Sequence, residues 1–298
     1  MCISPYVSTT GATMEDLGRV GIDPMAGVDP QACLYAGDAG EDTEAWKARR
    51  WQCITASWAS ALLGQCQYHR RDAADWGLSE RAALLRKFRE RQELRINTAM
   101  AWGSRCEPRI LADAGHIIGV PMVRVNHMYE SLVYPRMGAT IDGWCLPDPM
   151  WEVEAHPEFL DGRDERETGW LAPLRREVYR LGQEYGPGLV EVKMKRQRAI
   201  FRPKGGERDP RLLFARGPEA HHETWGIPCQ HAYQVQMQLA VLGSRRGGPQ
   251  WSMLVTNIGG MDLRAWVCMR DHDFCDYLGE QVSQFWEEFD GVRDDLHS

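Results

Sequence analysis

The sequence predicts an α/β fold in one large domain, and three observations predict it. Short β-prone runs bounded by Gly and Pro are interspersed with longer segments whose apolar residues recur at helical spacing. Apolar residues make up 43% of 298 positions, enough to fill a full core. No stretch of 18 apolar residues occurs, and Met1 to Thr10 lacks a basic segment followed by an apolar run, so a soluble cytoplasmic protein with no membrane partner is expected.

Residues 1–43 are rich in Gly, Asp, Pro and Thr with weak periodicity and read as an irregular arm ahead of a single domain over 44–298. Glu44 to Gly64 reads as helix in two pieces, with Thr55 capping the second and Gly64 ending it. The run Arg81, Arg86, Lys87, Arg89, Arg91 and Arg95 falls on a helix whose apolar side is Leu84, Leu85 and Phe88. Asn97 to Gly115 is helical, with Ile110, Leu111 and Ala114 on one face; Glu107, three and four residues before the first two, shares that face.

Val120–Val125 and Ala139–Leu146 read as strands. An insertion at about 151–188 follows, expected to decorate the core, with helix over Trp170 to Tyr185. After the breaker Gly186-Pro187-Gly188, Leu189–Met194 is a short strand on which Glu191 and Lys193 share one face and Val192 takes the other. Gln230–Gly243 is a helix with a stripe of Val235, Leu239 and Leu242 and a polar ridge of Gln230, Gln234 and Gln238. Trp251–Ile258 and Asp262–Met269 read as paired strands, and Asp273–Asp290 as a closing helix carrying Phe274, Tyr277, Val282, Phe285 and Trp286.

The net charge of −7 argues against a polyanionic partner, but the average hides a local stripe: between Lys193 and Arg216 nine Lys and Arg face only Glu207 and Asp209. The nine cysteines are scattered singly without a CxxC pair, which argues against a disulfide framework or zinc knuckle and for reduced thiols. His221, His222, Cys229 and His231 lack zinc spacing.

Hydrolysis of a phosphodiester needs an activated water and a cation to absorb phosphoryl charge, and carboxylate-bound Mg²⁺ supplies both. Asp142, Glu191 and Glu107 are the carboxylates able to form such a cage, with Lys193 beside them to orient or deprotonate water. Each alone is weak. An alternating Glu-x-Lys strand commonly pairs charges across a sheet, Asp142-Gly143 is commonly a turn, and Glu107 alone reads equally as a salt-bridged core residue.

The order of these residues is more specific, and it resembles that of the lambda exonuclease, YqaJ-type viral recombinases within the PD-(D/E)xK nuclease superfamily. INTAMAWGSRCE resembles the family's alanine-rich helix and its acidic residue, ATIDG its strand-end motif, LVEVK its metal-binding strand, and AYQVQMQLAVLG its AQVQ helix. AWKARRWQCITAS keeps the family's spacing from Trp to the ITAS segment, and RDHDF resembles the closing segment, so the likeness spans roughly Trp46 to Asp290.

The resemblance implies a restriction-endonuclease-like core, a mixed central β-sheet flanked by helices, with insertions. It implies metal ligation by Asp142, Glu191, Glu107 and the Val192 carbonyl, catalysis by Lys193, and a 5′-phosphate pocket of Arg50, Ser57 and Thr140, with Gln234 and its motif partner Gln236 near DNA phosphate. Implied too are Mg²⁺, with Mn²⁺ as the alternative hard cation, a 5′-to-3′ exonuclease acting on duplex DNA ends, a ring-shaped homotrimer, a single-strand annealing partner, and a phage or prophage origin in a bacterial host. Two rival readings stay open: a structure-specific or single-strand endonuclease on the same core, and a noncatalytic DNA-end-binding subunit.

Overall fold

Seven strands assemble into one sheet in the computed structural model, which describes residues 33–38, 48–65, 73–91, 98–147, 171–195, 229–244, 247–258 and 262–295. The strands are β1 (Cys33–Asp38), β2 (Ile54–Thr55), β3 (Met122–Ser131), β4 (Met137–Cys145), β5 (Gly188–Lys195), β6 (Trp251–Ile258) and β7 (Asp262–Met269). Their order is β1-β3-β4-β5-β6-β7, with β2 added on the second edge of β4. The β2–β4 and β5–β6 pairs are parallel and the others antiparallel, so the sheet is mixed.

Helices cover both faces: α1 (Ala59–Leu62, entered through a 3-10 turn at Ala56–Trp58), α2 (Glu80–Glu90), α3 (Thr98–Ile118), α4 (Leu171–Tyr185), α5 (Cys229–Leu242) and α6 (His272–Asp295). On one face Ile110, Leu111, Ala114 and Ile118 of α3 and Leu174, Val178 and Leu181 of α4 pack on Val190, Val192, Met253 and Val255. On the other, α1, α2, α5 and α6 pack on Ala139, Ile141, Leu189, Leu254 and Trp266. Phe88 of α2 receives the edges or faces of Trp51, Trp58, Phe285 and Trp286 at centroid distances of 5.1 to 6.0 Å, which fixes α2 to α6.

Four expectations change. Residues 33–38, inside the arm read as irregular, form β1 against β3; an edge strand is decided by its partner more than by its own pattern. Among the described residues of 44–64 the two expected helical pieces are present, at 48–50 and over Ala56–Leu62, but between them Ile54 and Thr55 form a strand against Met137 and Gly138. Thr55 stands at the N-cap position in extended conformation, but its side chain makes no cap bond. The helix of the 151–188 insertion is no decoration, since Leu174, Val178 and Leu181 of α4 are fully buried in the second core. The basic stripe expected between Lys193 and Arg216 lies outside the described residues beyond Lys195.

Candidate active site

The site grows out of a split in the sheet. β4 and β5 pair only where Gly143, Trp144 and Cys145 meet Val190, Leu189 and Gly188, while β2 pairs with the same edge of β4 at Met137 and Gly138. The intervening edge of β4, residues 139–142, has no strand partner on that side among the described residues. The Val192 N–H, which would continue the ladder, donates instead to Asp142 Oδ2 at 2.7 Å. The N–H and C=O of one extended residue leave the strand on the same edge, so the Val192 carbonyl faces the same gap.

A register slip aims Asp142. Between Arg124 and His127 the β3–β4 pairing shifts by one residue, opposite Asp142. Ile141 and Trp144 consequently pack in the same core, although strict alternation would send them to opposite faces. Such bulges re-aim a side chain and end a ladder. Gly143 is required here: a Cβ would lie 2.7 Å from the Val123 carbonyl oxygen and 3.1 Å from Leu111 Cδ2. The Asp-Gly pair is therefore a strand feature, not a turn.

Alternation along β5 sends Val190 and Val192 into the α3–α4 core and Leu189, Glu191 and Lys193 toward α5. Glu191 is only 1% exposed, and its charge is met by three donors: Lys193 Nζ and Gln234 Nε2 (2.6 Å) on Oε1, and Gln238 Nε2 (2.5 Å) on Oε2. A carboxylate buried without such partners would be prohibitively costly. Burial pushes the Asp142 carboxyl well above the usual range, helped by the Glu191 and Glu107 charges and opposed by Lys193 and the Val192 N–H. Burial pushes the Lys193 ammonium down, but Glu191, Asp142 and Glu107 outweigh it and hold the net direction upward.

Glu107 reaches this group from α3, with Arg124 Nε 3.7 Å from its Oε1. Pro108, the next residue, lies inside the helix and can donate no i→i−4 bond to the Ser104 carbonyl. At the β2 end of the open edge, Arg50 Nη2 donates to Ser57 Oγ at 3.0 Å and Thr55 Oγ1 lies 3.1 Å from the same oxygen. Thr140, partly exposed, stands on the open edge between that cluster and Asp142, and its carbonyl accepts from Gln238 Nε2 at 3.0 Å.

The structure thus gathers Glu107, Asp142, Glu191, Lys193, Val192 and Gln234 around the gap and sets Arg50, Ser57 and Thr140 along its flank. Gln236 is not among them. Its Nε2 donates to the Met269 carbonyl at 2.6 Å and its Oε1 accepts from Asp271 N at 3.0 Å, so it ties α5 to the turn before α6. Gln238 takes its place at the gap; the four-residue spacing of the glutamine ridge was the signal for it.

Among the described residues no three His, Cys, Asp or Glu side chains converge as a ready cation cage. Two carboxylates and one carbonyl, all hard oxygens, form an open set, which suits Mg²⁺ because that ion keeps several of its waters. The upward push on Asp142, caused first by burial and then by the Glu191 and Glu107 charges, is one that a cation would oppose.

A family model described as the YqaJ-like viral recombinase domain matches residues 45–245. No curated protein matches the chain. Among solved structures it is similar to an alkaline exonuclease (LHK-Exo) from Laribacter hongkongensis, at 18% identity over 86% of this chain and 96% of that one, with a TM-score of 0.50. It is also similar to LHK-Exo in complex with dAMP, at 19% identity over 85% and 96% of the two chains, with a TM-score of 0.46. The first likeness is one of fold, and the mixed sheet with its flanking helices fits the PD-(D/E)xK core.

Proposed function

The chain belongs to the YqaJ-like viral recombinase domain family, and from that premise we propose that it is a Mg²⁺-dependent exonuclease that digests one strand of linear duplex DNA from the 5′ end and leaves a 3′ overhang. The observation that carries this reading is the split between β4 and β5, which brings Asp142, Glu191 and Lys193 to one opening. The alkaline exonuclease that shares the fold supports the same chemistry.

Asp142, Glu191 and the Val192 carbonyl would hold the cation, with Glu107 adding charge from α3. Bound Mg²⁺ supplies Lewis-acid neutralisation of the phosphoryl oxygens and acidifies water. Lys193 supplies the proton chemistry. Beside Glu191, it would orient the attacking water or take its proton. Arg50, Ser57 and Thr140 present a guanidinium and two hydroxyls, donors suited to a terminal 5′-phosphate. Gln234, half-buried beside Glu191, is placed to touch the next phosphate without opposing the cation. Family likeness supports a homotrimeric ring, a single-strand annealing partner and a place in the cytoplasm of a phage-infected bacterium; among the described residues no helix is long and apolar enough to cross a membrane.

The test is digestion of linear duplex DNA labelled at either end, with and without 5′-phosphate and Mg²⁺, beside closed circles. Metal-dependent loss from the 5′ end with circles intact is expected. Glu191→Ala and Lys193→Ala should each lower the rate by at least about 100-fold in folded protein, and Arg50→Ala should remove the preference for phosphorylated ends. Cut circles would favour an endonuclease, and no cleavage by the wild type a binding subunit.

A further inference from the structure

Gln238 of α5 is 0% exposed, and one nitrogen of its amide joins the two strands that the split separates. Nε2 donates to the Thr140 carbonyl on β4 at 3.0 Å and to Glu191 Oε2 on β5 at 2.5 Å. Both neighbours are acceptors, so the nitrogen, with its two hydrogens, must face them, and the amide orientation is fixed. Its Oε1 has no hydrogen-bond partner among the described residues. An orphaned buried acceptor is a net cost, so the amide is retained for its donors rather than for filling space.

Those donors do two things at once. One satisfies the Thr140 carbonyl, which strand separation leaves without a ladder partner. The other fixes the rotation of the Glu191 carboxylate and ties it to the backbone of the strand that carries Asp142, two residues further on. Gln234 differs: it meets the other oxygen, which it shares with Lys193, and it is only half-buried. Gln238 is too deeply enclosed to reach a substrate.

We propose that Gln238 is a positioning residue that sets the Glu191 carboxylate against Asp142, and so sets cation affinity and turnover without touching DNA. This rests on the reading of the gap as a metal site. Outer partners of a ligating carboxylate typically govern affinity by about 10- to 100-fold.

Gln238→Met keeps the length and volume of the side chain and removes both donors. The experiment is a titration of metal-free protein with Mn²⁺ alone, followed by electron paramagnetic resonance, beside steady-state digestion at saturating metal. Mn²⁺ affinity should fall at least about tenfold, and kcat should fall while KM for DNA stays within about twofold. Should Gln238→Met fail to fold, Gln238→Asn, one methylene too short to span both acceptors, serves with the same expectation. Wild-type Mn²⁺ affinity in a folded variant would overturn the role of Gln238 alone. A wild type that binds no Mn²⁺ would overturn the metal reading and this inference together.

Discussion

Asp142 is held in a place that disfavours its own charge. Burial raises its pKa first, and Glu191 and Glu107 add to the shift, so the native value lies above the unfolded value of about 3.9. A group raised in this direction gives its full stabilisation below the unfolded pKa and loses it as pH rises through the native one. At pH 8 the ionised carboxylate therefore weakens the metal-free protein. Asp142→Asn keeps an oxygen to accept the Val192 N–H and should raise metal-free stability at pH 8 by roughly 1 kcal/mol, measured by urea unfolding in EDTA. The gain should vanish as pH falls toward about 4, and Mg²⁺ should stabilise the wild type but not the variant; equal stabilisation of both would remove Asp142 from the metal site. Asp142, Glu191 and Lys193 were legible in the sequence because their chemistry is written in residue type and order. The glutamines were legible only in part. Motif likeness favoured Gln236, yet residues two apart lie about 200° around a helix from each other and residues four apart share a face. The helix geometry selects Gln234 with Gln238, and it sends Gln236 to Met269 and Asp271.

The two helices that frame the split end in the same way, on a buried arginine from another element. Arg175 of α4 donates from Nε to Ile118 O and from Nη2 to Ile117 O, both at 2.6 Å, at the C-terminus of α3, where Gly119 adopts φ +75°. Arg270, after β7, donates to Leu239 O at 2.7 Å and Gly243 O at 3.0 Å at the C-terminus of α5. Arg175 meets carbonyls at a helix end, Arg270 adds a second donor to the Leu239 carbonyl that also accepts from Gly243 N, and each sets positive charge at the negative end of the dipole. Arg175→Met and Arg270→Met should each cost about 2 to 3 kcal/mol in chemical denaturation. A neutral Arg175→Met would return α4 to the peripheral role that its sequence suggested. That role was misread because charge dominates the composition of 151–188 and masks the stripe of Leu174, Val178 and Leu181 at helical spacing. The long helices and most central strands, by contrast, were legible to within about a turn, since each carries enough periods to show its repeat; β3, expected over Val120–Val125, runs on from Met122 to Ser131. β1 and β2 were not, because a strand of two to six residues is specified by the edge that receives it.

For the whole molecule, the quantities that average over the chain said least. A net charge of −7 neither locates the gap nor excludes a nucleic acid, since phosphate recognition depends on local donors. The sheet's edges say more. β3 is ten residues long, and β1 is what covers its outer edge: Cys33, Leu34 and Tyr35 pair with Ser131, Glu130 and Tyr129. Arg49 adds an ion pair to Glu130 on the same strand, so cover comes from a strand and from a charge. A long strand left with open N–H and C=O groups is a template for pairing with another chain. The split between β4 and β5 lies beyond β3 and β4 from β1 in the strand order. A chain beginning at residue 44 should therefore keep its fold and its Mn²⁺ affinity. It should also self-associate beyond the state of the full chain as concentration rises, as read by sedimentation velocity. Loss of Mn²⁺ binding on truncation would mean that β1 holds the gap in shape through β3, whereas unchanged sedimentation would mean that the charges along β3 protect its edge without help.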